Sequence, residues 1–176
     1  MRIYIASDHA GYELKNSLLH FLIDSGYDVI DCGPYEYNEA DDYPDYVASV
    51  ASEVSQNPSY NWGIVIGGTG QGEAIMANRF PNVRAVVFNG QRAAPSDGQA
   101  AHDIIRYTRE HNNANVLSLG AWFLNEEVAK DAATRWLSTP FSNEERHVRR
   151  LRKIESLSPH GNAGGANDSG TGGTGV

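Results

Sequence analysis

The residues best suited to chemistry form a glycine-rich segment that ends in a carboxylate. Positions 67–73 are Gly-Gly-Thr-Gly-Gln-Gly-Glu and directly follow a short apolar run. At a helix N-terminus, backbone N–H groups free of bulky side chains bind a phosphate or an oxyanion that forms during a reaction. Glu73 could act beside them as a base, although the helix dipole alone also favours an acid in a first turn. The segment has neither P-loop nor GxGxxG spacing, which disfavours nucleotide binding.

Two other polar pairs could contribute to the same chemistry. Asp8 and His9 directly follow the first apolar run, and the alternative for them is an N-cap by Asp8 beside a merely exposed imidazole. His111 and Asn112 precede the last apolar run, where a helix C-terminal cap is the alternative. The glycine-rich segment in the same chain favours a functional role for Asp8 and His9.

Positive charge is concentrated near the end of the chain. Lys and Arg number 14 against 22 Asp and Glu, a net charge of −8, which argues against binding to nucleic acid or to an anionic membrane. Five of the 14 cations nevertheless lie within residues 146–153. Arg146 and Arg150 share a helix face at this spacing and could hold one phosphate between them; a solvated basic helix is the alternative. We expect a small anionic metabolite as the ligand.

The elements that must position these residues are β-rich runs alternating with segments of helical period. Such alternation predicts one α/β domain over residues 1–157, an open α/β/α sandwich with a five-stranded parallel sheet. In such a sheet, ligands bind at the carboxyl ends of the strands. The predicted strands are Arg2–Ala6, Asp28–Asp31, Trp62–Ile66, Arg84–Phe88 and Asn115–Leu119. The predicted helices are Glu13–Ser25, Tyr43–Gln56, Gly72–Arg79, Gln99–Glu110, Asn125–Leu137 and Asn143–Leu157.

Composition bounds the remaining possibilities. Residues 158–176 are rich in Gly, Ser, Thr and Asn, which predicts a disordered tail. The single cysteine, Cys32, excludes an intramolecular disulfide, and without CxxC or HxxxH spacing we expect no metal site. The sequence shows neither a signal peptide nor an apolar segment of about 20 residues, so we expect a cytoplasmic protein.

In their order along the chain, these motifs resemble those of the sugar-phosphate isomerases of the ribose-5-phosphate isomerase B and lactose-operon type. The resemblance implies a Rossmann-like sandwich and interconversion of aldose and ketose phosphates without a metal or cofactor. It also implies homodimers, or tetramers, whose active sites are shared across the interface. The shared motifs span residues 1–157 and are S-D-H-A-G at 7–11, D-Y-P at 42–44, the segment 67–73, A-N at 77–78, R-E-H-N-N-A-N-V-L at 109–117, and Arg146-His147 with Arg150.

The resemblance implies a role for each matching residue. Asp8 and His111, with Thr69 close by, would open the sugar ring. Glu73 would then take the proton from C2 and return it to C1. The implied substrate contacts are His9, Arg146 and Arg150 for the phosphate, Tyr43 as a lining ring, Asn112 for the sugar or enediolate, and the amides of Gly68, Gly70 and Gly72 for the oxyanion.

The base distinguishes two branches of the family. Many members carry a cysteine thiolate at the position of Gly67, whereas this chain resembles a second branch in which a glutamate has that role. Cys32 lies at the end of the second predicted strand, far in sequence from the glycine-rich segment. Glu73 is therefore the only base that this segment supplies. Because an ordinary glutamate has a pKa of about 4.3, we expect Glu73 to be partly desolvated.

Two departures from the family pattern bear on the substrate. After the fifth strand, members usually have Gly-x-Arg, whose arginine contacts the phosphate, but this chain has Trp122 at the arginine position. The loop Asn89–Gln99 is also several residues longer than usual. Arg92 within this loop could replace the missing cation, or it could simply face solvent.

These observations favour an isomerase of ribose 5-phosphate and ribulose 5-phosphate. A six-carbon sugar phosphate, such as allose or galactose 6-phosphate, or a related sugar is the alternative substrate. A noncatalytic sugar-phosphate-binding protein is the alternative of another class, but such a protein has no need for a carboxylate beside an anion site. A flavodoxin-like redox or signalling domain is disfavoured because the sequence has no cofactor fingerprint.

Overall fold

The sheet is parallel, as predicted. The computed structural model describes residues 1–91 and 101–158. Its strands are hydrogen-bonded in the order β2-β1-β3-β5-β4, and their ends differ from the predicted ends by at most one residue. The strands are β1 (Arg2–Ser7), β2 (Asp28–Asp31), β3 (Asn61–Gly67), β4 (Ala85–Phe88) and β5 (Val116–Gly120).

Helices cover both faces of the sheet and follow the predicted order. One prediction was wrong at its start: the fourth helix begins at Ile104, because the Asp103 carboxylate accepts a hydrogen bond from the Arg106 N–H (3.1 Å) and caps the helix there. The predicted start, Gln99, lies outside the described residues, as do Arg92 and the tail beyond residue 158. The helices are α1 (Tyr12–Asp24), α2 (Tyr43–Gln56), α3 (Gln71–Ala77), α4 (Ile104–Glu110), α5 (Glu126–Ser138) and α6 (Glu145–Leu157).

The core consists of two layers because alternate residues of each strand face opposite sides of the sheet. Ile64 and Ile66 of β3 face the layer that contains Leu18 of α1 and Trp136 of α5. Val65, between them, faces the layer that contains α2. Burial on both faces fixes the register of the strands, so the carboxyl ends of β1, β3 and β5 lie side by side.

A tight turn holds the end of β1 against the end of β3. The Asp8 carboxylate accepts a hydrogen bond from the Gly11 N–H (3.1 Å), and the Asp8 N–H donates to the carbonyl of Ile66 (3.2 Å). A Cβ atom at position 11 would lie 2.5 Å from the oxygen of Ile66, so only glycine allows this approach. The turn thereby places the Asp8 carboxylate beside the residues that follow β3.

Candidate active site

The segment of residues 67–73, here called the glycine loop, runs from the end of β3 into the first turn of α3. Within it, Glu73 is 3% exposed and its carboxylate folds back over Gly67. A Cβ atom at position 67 would overlap this carboxylate. The glycine at position 67 therefore provides the space that the Glu73 carboxylate occupies.

The surroundings of Glu73 favour its neutral form. Burial raises the pKa of the Glu73 carboxyl above its ordinary value and outweighs the opposing effect of the Glu73 backbone N–H, and the nearby Asp8 carboxylate adds a smaller increase. A carboxylate with a raised pKa is a stronger base once it is deprotonated. The partial desolvation expected of Glu73 is therefore present.

Strand β5 orients the backbone of the glycine loop. The carbonyl of Gly67 accepts from the Ala121 N–H (2.8 Å), and the carbonyl of Gly68 accepts from the Trp122 N–H (3.0 Å). In a trans peptide the N–H points opposite to the carbonyl, so the N–H groups of Gly68 and Thr69 are directed away from β5. Neither N–H donates to an acceptor within residues 1–91 and 101–158, and both are available to an anion.

Other predicted residues lie at the same edge of the sheet. The ring of Tyr43, at the start of α2, lies against Gly72, where a Cβ atom would be 2.7 Å from the ring carbon Cζ. Thr69 accepts from the Gln71 N–H (3.3 Å), and the Gly70 carbonyl accepts from the Ser118 hydroxyl (2.6 Å). The predicted residues that the structure brings together here are Asp8, His9, Tyr43, Gly68, Thr69, Gly70, Gly72 and Glu73.

A buried carboxylate holds His9 at this edge. Asp41 Oδ1 accepts from the backbone N–H of His9 (3.0 Å) and lies 2.7 Å from the ring Nδ1. The Asp41 side chain is 3% exposed, and its Oδ2 has no hydrogen-bond partner in the described part of the chain. Hydrogen bonding to Asp41 raises the pKa of His9. The imidazole is thus biased towards its cationic form, with Nε2 left for a ligand.

The remaining predicted site residues form a second group together with His147. This group, here called the amino-edge cluster, consists of His111, Asn112, Arg146, His147 and Arg150. His111 ends α4, and its ring centroid lies 4.3 Å from that of His147 in α6. Burial, together with the charge of His111, lowers the pKa of His147. Arg146 and Arg150 are exposed on α6, and Arg146 pairs with Glu144 (2.8 Å). The Asn112 side chain donates to the Tyr107 carbonyl (3.3 Å).

The amino-edge cluster and the glycine loop lie at opposite edges of the sheet. Residues 111–115 lead into the start of β5, and Gly63 pairs with Val116 there. Gly67 pairs with Gly120 at the other end. Four strand residues at about 3.3 Å each separate the two edges by about 13 Å. Within one chain, His111 and Asp8 therefore do not form a common site.

Two contributors to the site were missed from the sequence. Asp41 contacts His9 across 32 residues, and its only local signal is its position just before the D-Y-P motif. The Thr69 N–H was not singled out because its direction depends on hydrogen bonds from β5. Trp122, noted in the sequence only as a departure from the family pattern, lies against Gly68. A Cβ atom at position 68 would be 2.7 Å from Cε2 and Cζ2 of its indole.

Comparison with known proteins shows which family the chain belongs to. The chain matches the family described as Ribose/Galactose Isomerase over residues 3–154. The chain belongs to the ribose/galactose isomerase family. The ribose-5-phosphate isomerase B of Mycobacterium tuberculosis (strain CDC 1551 / Oshkosh) is 37% identical to it over 152 residues, which are 86% of each protein. The resemblance noted in the motifs is confirmed, and the chain is a sugar-phosphate isomerase of this family.

Solved structures of this family share the fold. The ribose-5-phosphate isomerase B of Mycoplasma genitalium with bound ribulose-5-phosphate superposes with a TM-score of 0.78 at 33% identity, covering 87% of this chain and 93% of that one. The ribose-5-phosphate isomerase B of Clostridium thermocellum gives a TM-score of 0.76 at 40% identity, covering 88% and 95%. The predicted α/β fold with its five-stranded parallel sheet is confirmed.

Two further observations concern residues 1–91 and 101–158. None of their helices is both long enough and apolar enough to span a membrane. They also contain no group of three or more His, Cys, Asp or Glu side chains placed to hold a metal ion.

Replacement of Asp41 by Asn should lower the pKa of His9, because the carboxylate that favours the imidazolium is then lost. Titration of the His9 ring protons by NMR measures this shift. Asp42→Asn is the matched control, since Asp42 is exposed and caps α2 without a side-chain hydrogen bond. Equal His9 pKa values in the wild type and in Asp41→Asn would contradict the role assigned to Asp41.

Proposed function

We propose that this chain interconverts ribose 5-phosphate and ribulose 5-phosphate, with Glu73 as the base. The observation that carries the proposal is the Glu73 carboxylate, buried over Gly67 and next to the N–H groups of Gly68 and Thr69, which donate to no acceptor in the described part of the chain. A base and an anion site on adjacent residues suit a reaction in which removal of a carbon-bound proton creates an oxyanion. A protein that only binds sugar phosphates requires no such pair.

The reaction balances without a co-reactant. In the open-chain aldose, Glu73 takes the proton from C2, and the negative charge moves to the oxygen of C1. The N–H groups of Gly68 and Thr69 stabilise this enediolate. Glu73 then returns the proton to C1 while the hydroxyl proton of O2 passes to O1, which gives the ketose. Asp8, beside Glu73, is placed to assist the earlier opening of the ring.

The single thiol of the chain, that of Cys32, does not compete with Glu73 as the base. Cys32 follows β2, and burial raises the pKa of its thiol to about 11. The thiol is therefore protonated near neutral pH and is a poor base. The space above Gly67, where other family members are expected to carry a thiolate, is filled by the Glu73 carboxylate. This exchange supports the glutamate branch.

The positions of the cations support a site shared between two chains. His111, Arg146 and Arg150 lie at the opposite sheet edge from Glu73, so they can serve this reaction only in a neighbouring subunit. In a two-fold dimer, the amino-edge cluster of each subunit would face the glycine loop of the other. Its exposed arginines would then complement the carboxylates of Asp8 and Glu73. We propose that the phosphate binds between His9 of one subunit and the arginines of its partner.

The choice of substrate rests on the relatives. The Mycobacterium tuberculosis protein is named a ribose-5-phosphate isomerase B, and the Mycoplasma genitalium structure contains ribulose-5-phosphate. Separate incubations with ribose 5-phosphate, allose 6-phosphate and galactose 6-phosphate in D₂O test this choice. Fastest turnover and deuterium uptake with ribose 5-phosphate are expected. Faster turnover of a six-carbon substrate would replace the substrate assignment, and no exchange with any of them would contradict the isomerase proposal.

Glu73→Gln should lower kcat by about 10²–10⁴-fold while substrate still binds, because the amide keeps the shape of the side chain but cannot accept the C2 proton. Isomerisation kinetics and calorimetric titration with ribose 5-phosphate measure the two effects. Glu13→Gln is the matched control, since Glu13 is an exposed acid in the first turn of α1. Near-normal kcat in Glu73→Gln would show that another group is the base.

Hybrid dimers test the shared site. A dimer of one Glu73→Gln subunit and one His111→Asn subunit, purified through two different tags, has one site with both substitutions and one with neither if the site spans two chains. About half of wild-type activity is then expected, from homodimers that are each nearly inactive. If each chain carried a complete site, the hybrid would be as inactive as its parents, and the shared arrangement would be wrong.

A further inference from the structure

An exposed indole lies against the glycine loop, and the proposed mechanism gives it no role. Trp122 is 71% exposed and directly follows the end of β5. Its backbone N–H donates to the Gly68 carbonyl (3.0 Å), so its position relative to the loop is fixed. Of the other tryptophans in the chain, Trp136 is buried and Trp62 is half-buried. Trp122 is therefore the tryptophan available for contact with a ligand.

The indole packs directly on Gly68. A Cβ atom at position 68 would lie 2.7 Å from Cε2 and Cζ2 of the ring and 3.0 Å from Cδ2. The loop thus covers part of one ring face, and most of the ring remains open to solvent at the edge of the sheet that carries Glu73. Phe123 beside it is 59% exposed. A large apolar surface held at the mouth of a polar site marks a place that a ligand or partner covers.

The chemistry of the ring limits what that ligand group can be. An indole is neutral and donates a single N–H, so it offers little to a phosphate dianion. Its flat face suits the C–H side of a sugar, which is apolar between the hydroxyl groups. Because Trp122 contacts the same residue whose N–H faces the developing oxyanion, the covered part of the substrate is the sugar near its reacting carbons.

We propose that Trp122 is a substrate-contacting residue whose indole packs against the C–H face of the sugar and helps to select which sugar phosphate is bound. This inference rests on the proposed function and assigns the sugar-binding surface of the same site. Family members are expected to reach the phosphate with the arginine at this position, whereas the Trp122 indole lies on Gly68. In this proposal His9 and the arginines of the partner subunit bind the phosphate, and the indole contacts the sugar. The alternative is that a second copy of the chain covers the indole, and sedimentation velocity distinguishes this subunit contact from a substrate contact.

The first experiment measures tryptophan emission in the Glu73→Gln enzyme, which binds substrate without turning it over. Ribose 5-phosphate is expected to produce a saturable change in emission, and inorganic phosphate at equal occupancy is expected to produce none. The change should be absent in the double variant Glu73→Gln/Trp122→Phe, because Trp136 is buried and the Trp62 ring packs against Trp136 and the Arg109 guanidinium. A change that persists in the double variant, or that inorganic phosphate reproduces, would overturn the proposal.

The second experiment measures kinetics and assembly. Trp122→Ala should raise KM for ribose 5-phosphate by about tenfold, with a smaller effect on kcat, and Trp122→Phe should recover most of the loss. Phe123→Ala is the matched control, as an exposed aromatic neighbour without the Gly68 contact, and should leave KM unchanged. An unchanged KM in Trp122→Ala would overturn the proposal. Dissociation of the Trp122→Ala protein to monomers in sedimentation velocity would also overturn it, because a second copy of the chain would then be the group that covers the indole.

These outcomes are distinguishable from failure of the proposed function. The emission change in Glu73→Gln could depend on Trp122 while the wild-type enzyme isomerises none of the sugar phosphates. That pair of results would support the sugar contact and reject the isomerase assignment. Normal isomerisation with a KM that is insensitive to position 122 would do the reverse.

Discussion

The rest of the site depends on the contact between the Glu73 carboxylate and the Gly67 backbone. Burying a carboxylate without a cationic partner is unfavourable, and the nearby Asp8 carboxylate adds repulsion. Because folding raises the pKa of Glu73, its ionisation weakens the folded state as pH rises through the range between its unfolded and folded pKa values. The fold must therefore hold the carboxylate in place by other means. It does so by making Gly67 the last residue of β3, whose residues from Gly63 to Gly67 are all buried.

The sheet supplies that rigidity and also orients the groups around the carboxylate. Hydrogen bonds from Ala121 and Trp122 fix the carbonyls of Gly67 and Gly68, and these bonds direct the following N–H groups away from β5. Preorganised donors of this kind stabilise a developing charge without rearranging during the reaction. The same backbone bond holds the Trp122 indole on Gly68. One pair of neighbouring strands, β3 and β5, thus positions the proposed base, the proposed anion site and the proposed sugar surface.

The sequence predicted the strands well because four of them are short apolar runs that lead into polar or glycine residues, and the fifth, β2, has Val29 and Ile30 between two aspartates. Their parallel order then placed Asp8, Tyr43 and Glu73 at one edge. The start of α4 was wrong because a single local cap, Asp103, outweighed the helical pattern before it. The Asp41–His9 pair could not be predicted, because it joins two irregular segments that carry no periodic signal. His111 lies at the opposite edge because it precedes β5. From the sequence, only the family resemblance suggested that His111 serves the active site of a second chain.

If the deprotonated Glu73 carboxylate is the base, the titration of Glu73 and the pH dependence of kcat must coincide. The carboxyl carbon of Glu73, labelled with ¹³C and assigned by its absence in Glu73→Gln, can be titrated by NMR alongside the pH dependence of kcat. We expect Glu73 to titrate above the ordinary glutamate value of about 4.3, and kcat to fall in the same pH range as Glu73 becomes protonated. An ordinary pKa for Glu73, or a kcat that is unchanged while Glu73 becomes protonated, would contradict it.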